Sequence, residues 1–394
     1  MDKIKKVQMY LKEQNIDGWL LYYFDNNNPF ALDFLEVAKD QHLSRRFFYW
    51  IPKEGEPIQL VHAIEPDALA NAPGIKKIYQ KWESLQSLLQ EILEGAKIVA
   101  MEYSSCNRLP YISKVDAGTV EMVKKCHVEV VSSASFLQYF TSVMTESQEA
   151  SQKEAAQILH HIAEEAFVFL KKCLKQKKAI SEYELQKWII QKIEEHDLTI
   201  DGHFPICAFG IHTADPHYTP AKKGSFILEL NQPILLDIVA KQKDPKSIYG
   251  DITRMGFSGS TPPKKLVEMF ELALKAQNDT FCFIQSRFQA GEIVKGYEAD
   301  KIARDVIEKA GFGQYFTHRT GHNIYQTLHG PGTHLDGFET MDDRPLISNT
   351  CFTIEPGIYL PGDMGVRVEY DVIIHPKGKL EITSGIQDSI RTMV

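Results

Sequence analysis

Four acidic residues stand where acids are costly. Asp237 interrupts the apolar run Ile234-Leu235-Leu236-Asp237-Ile238-Val239, and Asp251 sits inside Ile248-Tyr249-Gly250-Asp251-Ile252. A carboxylate in an apolar strand needs a partner or a metal to offset its lost hydration. Between the two runs lies Lys243-Asp244-Pro245-Lys246, a turn signal, and each acid is seven residues from Asp244. A hairpin folded there sets the two acids opposite each other, with Cβ atoms about 4.5–5.5 Å apart. The pattern recurs downstream. Glu355 in Phe352-Thr353-Ile354-Glu355-Pro356-Gly357-Ile358-Tyr359 and Glu369 in Gly365-Val366-Arg367-Val368-Glu369-Tyr370 are each seven residues from Gly362. Two hairpins with matched acids point to a site on a pseudo-two-fold axis. Like charges this close require something positive between them.

An imidazole completes the set. His318-Arg319-Thr320-Gly321-His322 is followed by His329 seven residues later. Four carboxylates and one imidazole form a hard, oxygen-rich site suited to two divalent ions such as Mn, Co, Fe or Zn. Four negative charges against two dications leave the site near neutral. Two-metal hydrolytic sites hold their ions about 3.5–4 Å apart and share bridging carboxylates. The six cysteines, Cys106, Cys126, Cys173, Cys207, Cys282 and Cys351, form no C-x-x-C pair and read as reduced thiols of a cytoplasmic protein.

The elements that must position these groups follow from periodicity. In the first part of the chain, a helical stripe (Ile4, Val7, Tyr10, Leu11) precedes a buried strand at Trp19–Tyr23. Strands at Phe47–Pro52 and Ile58–Ile64 flank a turn-rich loop. A helical face at Leu85, Leu88, Leu89 and Leu93 leads to strands at Ile98–Met101 and Val128–Val131. This reads as an α/β domain over residues 1–143. From 144 to 394 the pattern is α+β. Thr145-x-x-Gln148 caps a long helix reaching about Leu174, with a face of Ile158, Ile162, Phe169 and Cys173. Ser181-x-x-Glu184 caps a second helix with Leu185, Trp188, Ile189 and Ile193 on one face. Two more are expected over Pro263–Gln285 and Tyr297–Ala310, the last closed by Gly311.

Composition narrows the classes. The 394 residues are 43% hydrophobic and 24% charged, so disorder, collagen and coiled coil are excluded. A net charge of −8 argues against nucleic acid as a partner, and no long apolar run argues for a membrane span. The commonest soluble assembly, a homodimer, is the default expectation.

These residues resemble the pita-bread metallopeptidases: methionine aminopeptidase, aminopeptidase P and prolidase. Asp237, Asp251, His322, Glu355 and Glu369 match the family's five metal ligands in type and order. The 352–359 and 365–369 segments are the most specific matches, and Ala208–Tyr218 is similar to the pre-metal loop with its histidine, His217. The N-terminal part resembles the creatinase/prolidase-type domain, which directs the reading to the proline-specific branch. Three places depart from the family pattern: Val239 stands for a glycine, Asn323 and Tyr325 replace glycines after His322, and His329-Gly330-Pro331-Gly332 lacks the acid after histidine.

The resemblance implies roles. Asp237 chelates one metal, His322 and Glu355 hold the other, and Asp251 and Glu369 bridge both. A metal-bridging hydroxide attacks the peptide carbonyl, with manganese ahead of cobalt, zinc or iron as the ion. Glu355 assists proton transfer to the leaving nitrogen. His217 and His329 position the carbonyl and stabilise its oxyanion. Arg367, on the same strand face as Glu369, orients a bridging carboxylate or a substrate acid. His318 reads equally as a supporting or a structural residue. His212 stands in the pre-metal loop, and His160, His161, His203, His334 and His375 read as structural or solvated. The expected activity is hydrolysis of the Xaa-Pro bond at the free N-terminus of proline-containing peptides. Prolidase action on Xaa-Pro dipeptides is the alternative. A non-catalytic binding module and a metal-independent creatinase-like amidinohydrolase are disfavoured, because all five ligands are present.

Overall fold

The computed structural model describes residues 3–38 and 40–394, which divide into two compact units between Thr141 and Ser142. The sequence placed that division at 143/144.

The first unit is one mixed sheet with helices. Its strands are β1 (Gly18–Tyr23), β2 (Phe47–Pro52), β3 (Ile58–His62), β4 (Ile75–Tyr79), β5 (Ile98–Met101) and β6 (Glu129–Ser132), in the order β4-β3-β2-β1-β5-β6. The helices are α1 (Lys3–Glu13), α2 (Pro29–Phe34), α3 (Trp82–Ile92), α4 (Ala117–Lys124) and α5 (Ala134–Thr141). Every residue of β1 is buried, because it lies centrally with apolar clusters on both faces. The strand expected to reach Ile64 stops at His62, and β4 and α4 had no counterpart in the sequence reading.

The second unit wraps two sheets and a ribbon with four long helices, α6 (Glu146–Lys175), α7 (Glu182–Glu195), α8 (Lys264–Gln289) and α9 (Gly296–Lys309). Both expected capping boxes form: Thr145 Oγ1 accepts from Gln148 N, and Ser181 Oγ from Glu184 N. The buried stripe of α6 runs through Leu159, Ile162, Ala163, Ala166, Leu170 and Cys173, so Ile158 and Phe169 flank it. Phe169 instead stacks on Trp188 of α7 at 4.9 Å.

The sheets carry the acids. Strands β7 (Leu198–Thr199) and β8 (Ile206–Phe209) pair with β9 (Pro233–Gln242), which pairs with β10 (Gly250–Phe257). Further along come β11 (Asn323–Ile324), β12 (Cys351–Ile354), the ribbon β13 (Gly357–Tyr359) and β14 (Gly365–Arg367), β15 (Tyr370–Ile374), β16 (Leu380–Ile382) and β17 (Arg391–Thr392). β11-β12-β15-β16 form one sheet, while β17 joins the edge of β10. Strand β10 presses so closely on α6 that a Cβ at Gly250 would lie 2.7 Å from the Ala156 nitrogen.

The first hairpin corrects the expected register. Asp237 faces Thr253, and Asp251 faces Val239. The register centres on Pro245, because Asp244 begins the turn rather than sitting at its middle. Its carboxylate accepts from Lys246 N at 2.8 Å and its carbonyl accepts from Ser247 Oγ at 2.6 Å, an Asx turn. Moving the centre by one residue shifts each facing partner by two, so both acids keep the same face of the sheet. The second hairpin follows the expected register. Ile354 faces Tyr370 and Gly357 faces Arg367, which sets Glu355 opposite Glu369 where the two ladders meet, with Gly362 at φ 74° in the turn. Among the described residues, no helix is long and apolar enough to cross a membrane.

Candidate metal centre

The two hairpins and the strand after Gly321 converge on one buried cluster. Asp251 on β10, His322 before β11 and Glu369 before β15 present ligand atoms all within 4.8 Å of one another. His322 Nε2 lies 3.4 Å from Asp251 Oδ2 and 3.4 Å from Glu355 Oε1. The imidazole is oriented by its other nitrogen. Nδ1 is 3.3 Å from the Asn323 carbonyl, which can only accept, so Nδ1 carries the hydrogen and Nε2 offers a lone pair to the acids. Thr353 sets the approach of both neighbours, accepting from His322 N at 2.9 Å and donating to Glu355 Oε1 at 3.0 Å. Gly321 is glycine for space: a Cβ there would come 2.0 Å from the Thr353 carbonyl oxygen.

Asp237 lies outside that closest group and is held by the Arg367 guanidinium. Arg367 makes four contacts of distinct purpose. Nη2 bonds Asp237; Nε donates to Thr253 Oγ1 at 2.9 Å; Nη1 reaches the Pro216 carbonyl and the Tyr359 hydroxyl, both at 3.1 Å. Thr253 passes the connection on, donating to Glu369 Oε2 at 2.6 Å. Arg367 therefore bonds Asp237 directly and Glu369 through Thr253. Its direct partner is the acid read as chelating rather than a bridging one. Tyr359 in turn meets His318 Nε2 at 2.9 Å, and His318 Nδ1 donates to the Arg319 carbonyl at 2.7 Å. Burial and then Arg367 push the His318 imidazole down to about 3, so it accepts from the tyrosine as a neutral ring.

His329 packs edge-on to the His322 ring at 4.4 Å between centroids. His217 is exposed, in a turn where its own N–H donates to Asp215 Oδ1 at 3.0 Å. Burial raises the Asp237 carboxyl, while Arg367 and then His217 act to lower it. His334, read as structural, accepts from Asn323 N at 3.0 Å through Nδ1 in the interior. His375 joins Glu149 and Glu381 in a second histidine–acid group, but Lys153 already bonds both acids, at 2.8 and 2.9 Å. Thr253 and Tyr359 had no role in the sequence reading. Strand alternation was the available signal for Thr253, which stands two residues after Asp251 and so shares its face.

The electrostatics show what the cluster lacks. Burial drives the Asp251 carboxyl well above the usual range, and Glu369 and Asp237 add repulsion. Burial does the same to Glu369, with Glu355 and Asp237 adding to it. Glu355 is lifted to about 7, again by burial first. No lysine or arginine among the described residues is ion-paired with Asp251 or Glu369. Crowded hard oxygens beside a neutral imidazole nitrogen are the donor set of a divalent-metal site, and the residues present fit two such ions.

Residues 150–376, more than half of the sequence, match the family model for metallopeptidase family M24. The chain belongs to metallopeptidase family M24. Its two units are thus an α/β N-terminal domain of the creatinase/prolidase type and an α+β pita-bread catalytic domain, and it is a metallo-exopeptidase. An uncharacterized peptidase of Staphylococcus epidermidis is 26% identical over 380 residues, covering 96% of this chain and 97% of the relative. A putative dipeptidase of Bacillus subtilis is 25% identical over 404 residues, covering 99% of both chains. Among solved structures, a dipeptidase from Pyrococcus horikoshii is 25% identical with a TM-score of 0.59, covering 99% of this chain and all of that one.

Proposed function

We propose that the second unit hydrolyses the Xaa-Pro bond at a free N-terminus, using two divalent ions held by Asp237, Asp251, His322, Glu355 and Glu369. The observation that carries this is the convergence of Asp251, His322 and Glu369 ligand atoms within 4.8 Å, with Glu355 3.4 Å from the same imidazole. Bound dications supply charge neutralisation and a water acidified toward neutral pH. The chain's own residues do the rest. Glu355, whose Oε1 lies 3.4 Å from His322 Nε2 and accepts from Thr353 Oγ1, is assigned proton transfer to the leaving nitrogen. His329 beside His322, and His217 on its turn, are assigned the carbonyl oxygen as it gains charge. Arg367 is assigned the orientation of Asp237 and, through Thr253, of Glu369.

Xaa-Pro selectivity rests on the sequence resemblance to the proline-specific branch. A tertiary amide has no N–H, so a pocket shaped for the proline ring can select it. The aminopeptidase reading puts longer Xaa-Pro-Yaa peptides first. The putative dipeptidase and the solved dipeptidase among the relatives favour dipeptides. Manganese as the ion and a homodimer as the assembly belong to the same proposal. The experiment is metal stoichiometry on protein purified without chelator, beside hydrolysis of Ala-Pro and Ala-Pro-Ala with manganese. About two ions per chain and release of alanine support the reading. Release from the dipeptide alone assigns prolidase action, release from the tripeptide assigns aminopeptidase action, and release from neither defeats the substrate assignment.

A further inference from the structure

Both feet of the loop that carries His217 meet one buried acid. Glu182, the first residue of α7, is fully buried and accepts five hydrogen bonds from four residues. Its Oε1 accepts from Phe209 N at 2.7 Å and from His212 Nδ1 at 2.9 Å. Its Oε2 accepts from Phe226 N at 2.7 Å, from the Tyr218 hydroxyl at 2.6 Å, and from His212 Nδ1 again at 3.0 Å. Phe209 ends β8 where the loop leaves the sheet, and Phe226 lies where it returns. His212 and Tyr218 flank the segment bearing Pro216 and His217. A carboxyl group that accepts from both ends of a loop acts as a clamp, since moving either end gives up hydrogen bonds to a fully buried acceptor.

Aromatic packing stiffens the same assembly. The His212 ring lies between Phe226, 3.8 Å away at 20°, and Tyr218, 4.3 Å away at 24°. Because a carboxylate only accepts, His212 carries its hydrogen on Nδ1, which fixes the tautomer. The clamped segment then meets strand β14, which carries Arg367, at two points. Thr213 Oγ1 accepts from Gly365 N at 2.9 Å, and the Pro216 carbonyl accepts from Arg367 Nη1 at 3.1 Å. Arg367 is the residue that orients Asp237. The capping box does not require a buried acid at the first helical position: Ser181 and Glu184 satisfy the helix end by themselves.

We propose that Glu182 is a positioning residue that sets the height of the 209–226 loop over the metal centre, acting on turnover through His217. This rests on the Xaa-Pro reading above. A group displaced by about 1 Å from its working position costs on the order of 100-fold in rate.

The test is a double-mutant cycle with Glu182→Gln and His217→Ala, read as kcat and KM on Ala-Pro with metal content measured on each variant. Glu182→Gln is expected to lower kcat about 100-fold with metal content unchanged. In the His217→Ala background, the same change is expected to cost less than about 3-fold further, since two residues acting as one unit are not additive. An equal loss in both backgrounds overturns the proposal, as does loss of metal or an unchanged kcat in Glu182→Gln. If Glu182→Gln does not fold, Tyr218→Phe removes one of the five bonds and enters the same cycle with the same criteria. Amide exchange supplies a readout independent of substrate. Faster exchange confined to 210–218 in the variant supports the clamp, and unchanged exchange there overturns it. A wild-type enzyme inactive on every Xaa-Pro peptide defeats the Xaa-Pro assignment alone, and the exchange result still decides the clamp.

Discussion

Stripping the metal makes the stability of this protein fall as pH rises. Glu355 is raised from the ordinary 4.5 to about 7, chiefly by burial. A carboxyl whose folded value exceeds its unfolded value binds more protons in the folded state between the two. Its contribution is full below pH ~4.5 and is lost as pH climbs through ~7. At about 1.4 kcal/mol per unit, Glu355 alone removes about 3 kcal/mol over that window. Asp251 and Glu369 are raised for the same reason and act in the same direction. With about 2–4 °C of Tm per kcal/mol for a domain of this size, chelator-treated protein should melt about 6–12 °C lower at pH 8 than at pH 5. Saturating manganese should raise Tm far more at pH 8, where the acids are ionised and bind it. Calorimetry at the two pH values, with and without metal, measures all four states. A metal-free Tm that is flat or rises from pH 5 to pH 8 would refute the argument that unneutralised acids crowd this site.

Other perturbations separate the roles within the cluster. Asp251→Ala should cut both metal content and activity, because it removes an acid in contact with His322; elemental analysis and Ala-Pro turnover read both. His329→Ala should keep its metal and lose roughly 10²–10³ in kcat, and a metal-depleted variant would contradict its assignment to the oxyanion. Thr253→Val strands Arg367 Nε and Glu369 Oε2 in the interior, so chemical denaturation should show a loss of about 1–3 kcal/mol. Arg367→Lys keeps the charge but cannot reach Asp237, Thr253, Pro216 and Tyr359 together, so kcat should drop at saturating metal while the fold persists by circular dichroism.

What could be read from the chain was what local chemistry decides. The two capping boxes and the strands Phe47–Pro52 and Ile98–Met101 depend on neighbours within a few residues, and each stands where the pattern put it. Strand β4 escaped because it is an edge. Its Lys76 is exposed and its Lys77 half-buried, pairing with Asp67 and Glu91, and Ile75 and Ile78 are exposed, so no apolar alternation marks the strand, while the lysines protect the edge from unwanted pairing. The acids of the site were legible because carboxylates in apolar strands are anomalous wherever they occur. Their partners were less so. That Asp237 faces Thr253 depends on an Asx turn starting at Asp244, and that Arg367 takes Asp237 depends on how two hairpins far apart in sequence pack together.

Asn323 ties the strand after His322 to the facing loop that carries His329. Asn323 is buried, and its side chain replaces backbone freedom with two specific bonds: Nδ2 donates to the Cys351 carbonyl at 2.8 Å, and Oδ1 accepts from Gly332 N at 2.8 Å. Its own carbonyl accepts from Gly330 N at 2.7 Å. The larger residue is possible only because the facing loop is bare. A Cβ at Gly330 would lie 2.3 Å from Asn323 Oδ1, and one at Gly332 would lie 2.7 Å from the same amide. Bulk added at 323 is therefore matched by its absence at 330 and 332. The consequence is functional, because His329 stands at the edge of that loop, and the staple keeps its ring 4.4 Å from the His322 ring. Val239 and Tyr325 pack in the apolar cluster with Ile324 and Leu328, alongside the same loop. The side-chain bonds of Asn323 and the apolar cluster of Ile324, Tyr325, Leu328 and Val239 thus hold the strand after His322 against the loop of His329.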